Sequence, residues 1–285
     1  MQPKFLRAIA ILFATSFLLT ACQKPPDTHA QQNSAELYFP VPLPEPPPVP
    51  EPSPEYLPVP SDIWDVSGTD VSTIDKSRKL IALTFDDAPN KTLERILAVF
   101  AEYNENNPDC PAYGTVFCNG IFFNNHTAHT LSMAHAMGFE LGNHGYSHTD
   151  LTLLGGKTLQ DEIDKTDEML FLIDGKRVHL FRAPYGRVNQ AVKAAVATPM
   201  IDWTIDTLDW TGKPENDVYQ TVFSQKFSGA IALMHDGYEG TVDALKRLLP
   251  NLKAAGYQAV TVSQMAKVHG CMLRRGSVYI RARKQ

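Results

Sequence analysis

Two adjacent carboxylates, Asp86 and Asp87, close an apolar run of strand length, Leu80-Ile81-Ala82-Leu83-Thr84-Phe85. A buried strand that ends this way delivers paired acids to the edge of a sheet, where solvent and substrate reach them. Further along, His144 and His148 sit in Gly142-Asn143-His144-Gly145-Tyr146-Ser147-His148, just after the strand-like stretch from Phe139 to Gly142. Two histidines at this spacing can converge on one divalent ion, and a carboxylate such as Asp87 completes a set of three ligands with positions left open for water and substrate. A His-x3-His pair alone is weak evidence, because histidines also cap helices and fill cores. Joined to an acid pair at a matching strand end, it describes a metal site. Two histidines and an aspartate suit zinc, and accept cobalt or nickel. A divalent metal lowers the pKa of a water it holds towards ~7, and Asp86, if kept off the metal, can take that proton during attack on a carbonyl.

Three more clusters have chemical potential. In Phe181-Arg182-Ala183-Pro184-Tyr185-Gly186, an arginine can hold a carboxylate ionised and oriented, while proline and glycine shape a turn whose amide can point at a developing oxyanion. Standing by itself, this stretch would read as a surface arginine before a turn. The stretch Trp203-Thr204-Ile205-Asp206-Thr207-Leu208-Asp209-Trp210 is dense in tryptophan and aspartate, and aromatic faces serve either as sugar platforms or as barrel packing. His235 ends the apolar run from Ile231 to Met234 and is followed by Asp236 and Gly237. A histidine there can protonate a leaving amine, with an aspartate raising its pKa.

These clusters need elements to position them. From residue 62 onward, strand-like runs near 80–85, 115–118, 139–142, 178–182, 200–204, 229–234 and 258–262 alternate with amphipathic stretches near 91–104, 126–137, 158–173, 215–225 and 241–255. Such alternation predicts an α/β fold with a parallel sheet, and about seven strands in one domain predict a barrel rather than an open sheet. The polar clusters all fall just after strand-like runs, at the carboxyl ends where barrel active sites lie.

The chain has 285 residues, 44% of them hydrophobic and 20% charged, with a net charge of -5, so neither composition nor charge predicts a nucleic-acid partner. Residues 1–21 carry Lys4 and Arg7, an apolar run from Ala8 to Leu19, and then Thr20 and Ala21 before Cys22. The run is short for a bilayer of ~30 Å, so an export signal is expected rather than a membrane span. Leu19-Thr20-Ala21-Cys22 resembles the bacterial lipobox, which implies lipidation at Cys22 and an extracytoplasmic, membrane-anchored protein. Residues 22–61 include 11 prolines between Pro40 and Pro60. As polyproline II at ~3.1 Å per residue, that stretch would reach roughly 65 Å, so 22–61 reads as a tether and 62–285 as the globular domain. Of the remaining cysteines, Cys110 and Cys118 would either close a short disulfide loop or leave Cys118 as a small buried hydrophobe, with Cys271 free. The basic stretch from Arg274 to Lys284 reads as a solvated terminus.

In order and spacing, the five polar segments resemble the five motifs of the NodB-homology polysaccharide deacetylases, carbohydrate esterase family 4, over roughly residues 79 to 265. The resemblance implies a distorted, incomplete (β/α) barrel and a metal-dependent deacetylase of an acetylated polysaccharide or oligosaccharide. It casts Asp86 as catalytic base, Asp87, His144 and His148 as metal ligands, and Arg182 as the group orienting the base. Tyr185 would supply a backbone donor to the oxyanion, Asp209 would tune the acid His235, and Trp210 and Leu233 would line the acetyl pocket. Thr115 to Gly120 resembles the family's second strand. Two features depart from the pattern. Ala88 stands where glycine is common, and Asn104 to Tyr113 is longer than the usual link, as either a lip beside the groove or a surface insertion. The expected substrate is the N-acetyl group of peptidoglycan, a chitooligosaccharide or a poly-N-acetylglucosamine. An O-acetyl esterase on xylan-like polysaccharide and a non-catalytic glycan-binding lipoprotein on the same fold are the alternatives, and nothing identifies a protein partner.

Overall fold

The computed structural model describes residues 62–282. The export signal, Cys22 and the proline-rich stretch lie outside the described residues. In chain order the elements are β1 (Lys79–Ala88), α1 (Leu93–Asn106), β2 (Thr115–Cys118), α2 (Asn125–Ala136), β3 (Glu140–Asn143), α3 (Gly156–Asp174), α4 (Gln190–Ala195), β4 (Met200–Ile201) and β5 (Ile205–Asp206), followed by α5 (Glu215–Gln225), β6 (Ala230–His235), α6 (Glu239–Ala254), β7 (Tyr257–Val260), α7 (Val262–His269) and β8 (Val278–Tyr279).

Every pairing between these strands is parallel. β1 lies at the centre. One edge pairs with β6 from Ile81 to Asp86, and the other pairs first with β7 and then with β2. From β2 the pairing passes to β3, from Asn143 to Phe181 by a single bridge, and from Phe181 to Met200 by another. The chain then runs from β4 into β5, which pairs with β6 and so closes the ring. The result is a distorted (β/α) barrel.

Side-chain alternation assigns the two faces of each strand. Ile81, Leu83 and Phe85 of β1, with Ala230, Ala232 and Met234 of β6, pack outward beneath the helices. Leu80, Ala82, Phe117, Leu180, Ile201, Ile231 and Val260 fill the barrel, floored by Met265 of α7 and by Leu273. Because both faces are buried, β1 reads as a continuous apolar run rather than an alternating one. At the carboxyl end the inward face turns polar: Thr84 and Asp86 continue the row of Leu80 and Ala82, and His235 continues that of Ile231 and Leu233. Gly142 of β3 makes room for this interior, since a Cβ there would sit 2.6 Å from the Phe117 ring.

The expected strand 178–182 is reduced to Phe181, and the expected strand 200–204 is shortened to β4, with β5 starting just beyond it at Ile205. The Arg182 side chain explains part of this, because its Nε and Nη2 donate to the carbonyls of Ile201 and Asp202, at 2.9 and 3.3 Å. From Asp202 to Thr204 the backbone changes partner: Asp202 N–H goes to Tyr279 O and Thr204 N–H to Ile231 O. α4, α7 and β8 were not expected. Cys110 and Cys118 are buried free thiols, so Cys118 is a small hydrophobe of β2, and Cys271 is also free. The Asn104–Tyr113 link lies at the amino end of the barrel, away from the polar clusters, and so is not a lip beside them; Cys110 and Ala112 within it are buried. Tyr113 N–H bonds Ala259 O, and Lys253 Nζ holds Asn107 and Asp109. No helix among the described residues is long and apolar enough to cross a membrane.

Candidate active site

Asp87, His144 and His148 converge so that one ligand atom from each lies within 4.8 Å of the others. His148 Nε2 is 3.4 Å and His144 Nε2 3.8 Å from Asp87 Oδ1. Bonds of ~2.1 Å at a tetrahedral angle put neighbouring donors roughly 3.4 Å apart, so the donor set fits a divalent ion such as zinc. His144 Nδ1 donates to Arg182 O at 2.7 Å, which fixes the tautomer and leaves Nε2 as the free donor atom. Burial holds the His144 imidazole below its ordinary pKa, against the pull of Asp86 and Asp87, and so favours the neutral, ligating form.

Asp86 is 3% exposed and its Oδ1 accepts from Arg182 Nη1 at 2.6 Å. That guanidinium is itself 1% exposed, also donates to Thr84 Oγ1 at 2.8 Å, and lies 4.2 Å above the Phe117 ring. Burial alone would raise the Asp86 carboxyl. The charge and hydrogen bond of Arg182, helped by His235, override burial and hold it below the usual carboxylate range. Asp86 therefore stays ionised in a dry setting, with its Oδ2 3.6 Å from His144 Nε2.

His235 lies in register with Asp86 across the β1–β6 pair. Its Nδ1 donates to Asp209 Oδ1 at 2.7 Å and its backbone N–H to Asp209 Oδ2 at 2.7 Å. Asp209 also accepts from Trp210 N–H and from Thr241 Oγ1, so every direction around its buried carboxylate is used. Burial pushes the His235 imidazole down, but the Asp209 hydrogen bond and the charges of Asp86, Asp209 and Asp87 outweigh it and leave its pKa raised. Adjacent strand ends thus present an ionised carboxylate and an imidazole biased towards its protonated form.

The other expected residues surround this centre. Leu233 is buried at 3% exposure, on the same strand face as His235 and outside the packed core clusters. Tyr185 and Trp210 are 61% and 53% exposed. The Tyr185 ring meets His148 edge to face at 4.6 Å. Trp203 is partly buried, packs against the barrel core and lies 5.8 Å from the Arg182 guanidinium. Asp87, His148, Tyr185 and Leu208 are the non-glycine residues with positive φ among the described residues. Three belong to the expected site and the fourth adjoins Asp209. Such conformations cost about 1–3 kcal/mol each and persist where surroundings over-determine them.

Several supporting residues escaped the sequence reading. Glu162 of α3 accepts from the N–H groups of Tyr146 and Ser147, between the two histidines, and from Ser147 Oγ. Nothing in the helical periodicity separates it from a solvated acid. Buried Asp236 accepts from the N–H groups of Asn90 and Thr92 and from Thr92 Oγ1, pinning the turn after Asp87. Its place beside His235 was the available signal. For Thr84 the signal was a lone hydroxyl two residues before Asp86.

The polysaccharide deacetylase family profile matches residues 73–200. In sequence, the chain is 34% identical over 197 residues to the peptidoglycan-N-acetylmuramic acid deacetylase PdaC of Bacillus subtilis, covering 69% of this chain and 40% of that protein. The solved structure of PdaC superposes with a TM-score of 0.63 at 33% identity, over 68% of this chain and 93% of that one.

The chain belongs to the polysaccharide deacetylase family.

The peptidoglycan-N-acetylglucosamine deacetylase PgdA of Listeria monocytogenes is 28% identical over 258 residues, covering 88% of this chain and 53% of that protein. The chain thus spans about half or less of the length of these two relatives, at 40% and 53%. A family 4 acetyl xylan esterase from Clostridium thermocellum, solved with a cobalt ion, superposes with a TM-score of 0.66 at 25% identity, over 71% of this chain and 98% of that one. Members of carbohydrate esterase family 4 such as these have the distorted (β/α) barrel described above.

Proposed function

We propose that this chain is a metal-dependent deacetylase that hydrolyses N-acetyl groups of an extracytoplasmic glycan. The observation that carries the reading is the meeting, at one barrel mouth, of the Asp87–His144–His148 donor set with an ionised Asp86 and a His235 of raised pKa. A divalent metal held by Asp87, His144 and His148 would polarise the acetyl carbonyl and make a water acidic enough to attack it. Asp86, oriented by Arg182, takes that water's proton. The backbone N–H of Tyr185 would donate to the charge that develops on the carbonyl oxygen. His235, oriented by Asp209, returns a proton to the departing nitrogen, the step that an amide requires because an unprotonated amine leaves poorly. Leu233 and Trp210 enclose the acetyl methyl.

The substrate class rests on the relatives, whose names specify peptidoglycan N-acetyl sugars in two cases and acetyl xylan in the third. The last makes O-acetyl hydrolysis the second reading. The lipobox-like Leu19 to Cys22 supports anchoring of the protein at a bacterial membrane through Cys22. Purified protein supplied with zinc, cobalt or nickel after chelation should release acetate from a panel of N-acetylglucosamine oligomers, peptidoglycan and acetylated xylan. Preference for the first two supports the amide reading, preference for xylan supports the ester reading, and no release from any substrate with bound metal would leave only a glycan-binding role.

A further inference from the structure

We propose that Asn119 is a positioning residue for the metal ligands, tying the segment that carries Asp87 to the segment that carries His144. The inference rests on the reading that Asp87, His144 and His148 hold a divalent ion. Asn119 follows β2 directly and is fully buried. Its backbone N–H donates to Ala88 O at 2.8 Å, the carbonyl immediately after Asp87. Its side-chain Nδ2 donates to His144 O at 2.7 Å and to Gly145 O at 3.3 Å. Since both acceptors are carbonyls, the amide nitrogen must face them. Oδ1 has no partner among the described residues, so the side chain is held through its nitrogen alone.

The neighbouring bonds make this contact part of a stiff seam. His144 N–H reaches Cys118 O at 2.8 Å, Gly120 N–H reaches Gly145 O at 3.3 Å, and Ile121 N–H reaches Tyr146 O at 2.9 Å. Gly120 permits the approach, because a Cβ there would lie 2.6 Å from Tyr146 Cδ2 and 2.7 Å from Thr166 Oγ1. The two ligands at either end of the seam need such support. Asp87 holds a φ of 61° and His148 one of 59°, conformations that side chains other than glycine rarely keep without external restraint. His144 contributes its ring while its own carbonyl is bound to Asn119, so displacing that carbonyl moves the ring. Groups that orient ligands in this way typically change metal affinity by about 10- to 100-fold when removed.

The test is zinc affinity of the full chain, measured by competition with a chelating dye, alongside thermal unfolding of the metal-free protein. Asn119→Asp preserves volume and removes the two side-chain donations; Asn119→Ala removes the side chain yet keeps the backbone bond to Ala88. Both should weaken zinc binding about 10- to 100-fold, with kcat at saturating zinc falling much less. Thr166→Val, which alters a buried neighbour with no bond to either ligand segment, should bind zinc like the parent. If Asn119→Asp does not fold, Asn119→Ala provides the reading. Parental zinc affinity in the Asn119 variants, with only thermal stability reduced, overturns the inference, as does an equal loss in Thr166→Val. A parent protein that binds no zinc, cobalt or nickel refutes the metal reading itself and is distinguishable from both.

Discussion

Replacing Asp209 by asparagine tests the pairing that gives His235 its proposed role. The carboxylate accepts from four donors: the ring Nδ1 and backbone N–H of His235, Trp210 N–H, and Thr241 Oγ1. Asparagine offers one oxygen in place of two. If that oxygen faces the ring, the new amide confronts the His235 backbone N–H. If it faces the backbone, the amide confronts Nδ1 and forces the other tautomer. Either way one buried donor loses its acceptor, which costs about 1–3 kcal/mol. The larger effect is on turnover. Asp209 is among the groups that raise the His235 pKa against burial, so its neutralisation lowers that pKa and shifts the alkaline limb of the pH–kcat/KM profile to lower pH. With a poorly protonated acid, kcat/KM for an N-acetylated substrate should fall about 10²- to 10⁴-fold at neutral pH. Acetate release across a pH series, with folding confirmed by thermal unfolding, measures both. An unchanged alkaline limb with parental kcat/KM would refute the assignment of His235 as the acid and Asp209 as its partner.

Asp87→Ala should abolish metal binding in elemental analysis, whereas Asp86→Asn should retain the metal and lose acetate release; equal release by Asp86→Asn removes it as the base. Arg182→Met leaves Asp86 buried without its counter-charge, so stability to urea should drop by about 3–5 kcal/mol and the acid limb of the pH–rate profile should move to higher pH. Away from the site, buried His179 bonds Asp167 and Asp174, and although burial pushes its pKa down, those two partners raise it from 6.5 to about 9. Its stabilisation is complete below pH 6.5 and is lost as pH rises through about 9, on the order of 3 kcal/mol. Urea unfolding at about pH 6 and about pH 10 should show this extra loss in the parent and not in His179→Asn; parallel pH dependence in the two would exclude it.

The sequence by itself determined the alternation of strands and helices, the placement of the polar clusters at strand ends, and the identities of the three residues that converge as a candidate metal site. These were legible because they depend on local order. An apolar run that ends in charge must emerge at a sheet edge, and a His-x3-His spacing confines two donors to one turn. Tertiary structure decided the rest. Asp86 and Asp87 are adjacent in the chain and chemically identical; the family resemblance divides their roles, but the physical basis of the division lies in the fold. Asp86 continues the inward row of β1 onto the guanidinium of Arg182, while Asp87 turns through a positive φ towards the two histidines. The resemblance pairs Arg182 with Asp86 and Asp209 with His235, but the burial and hydrogen bonds that realise those pairings, and the part of Thr241 in them, come from partners distant in sequence that no local pattern records. The irregular wall from Phe181 to Asp206 was likewise invisible, because its backbone exchanges regular pairing for bonds to a buried arginine and a late strand. Strand ends and ligand spacing are properties of the chain, whereas ionisation state and orientation are properties of the surroundings that folding builds.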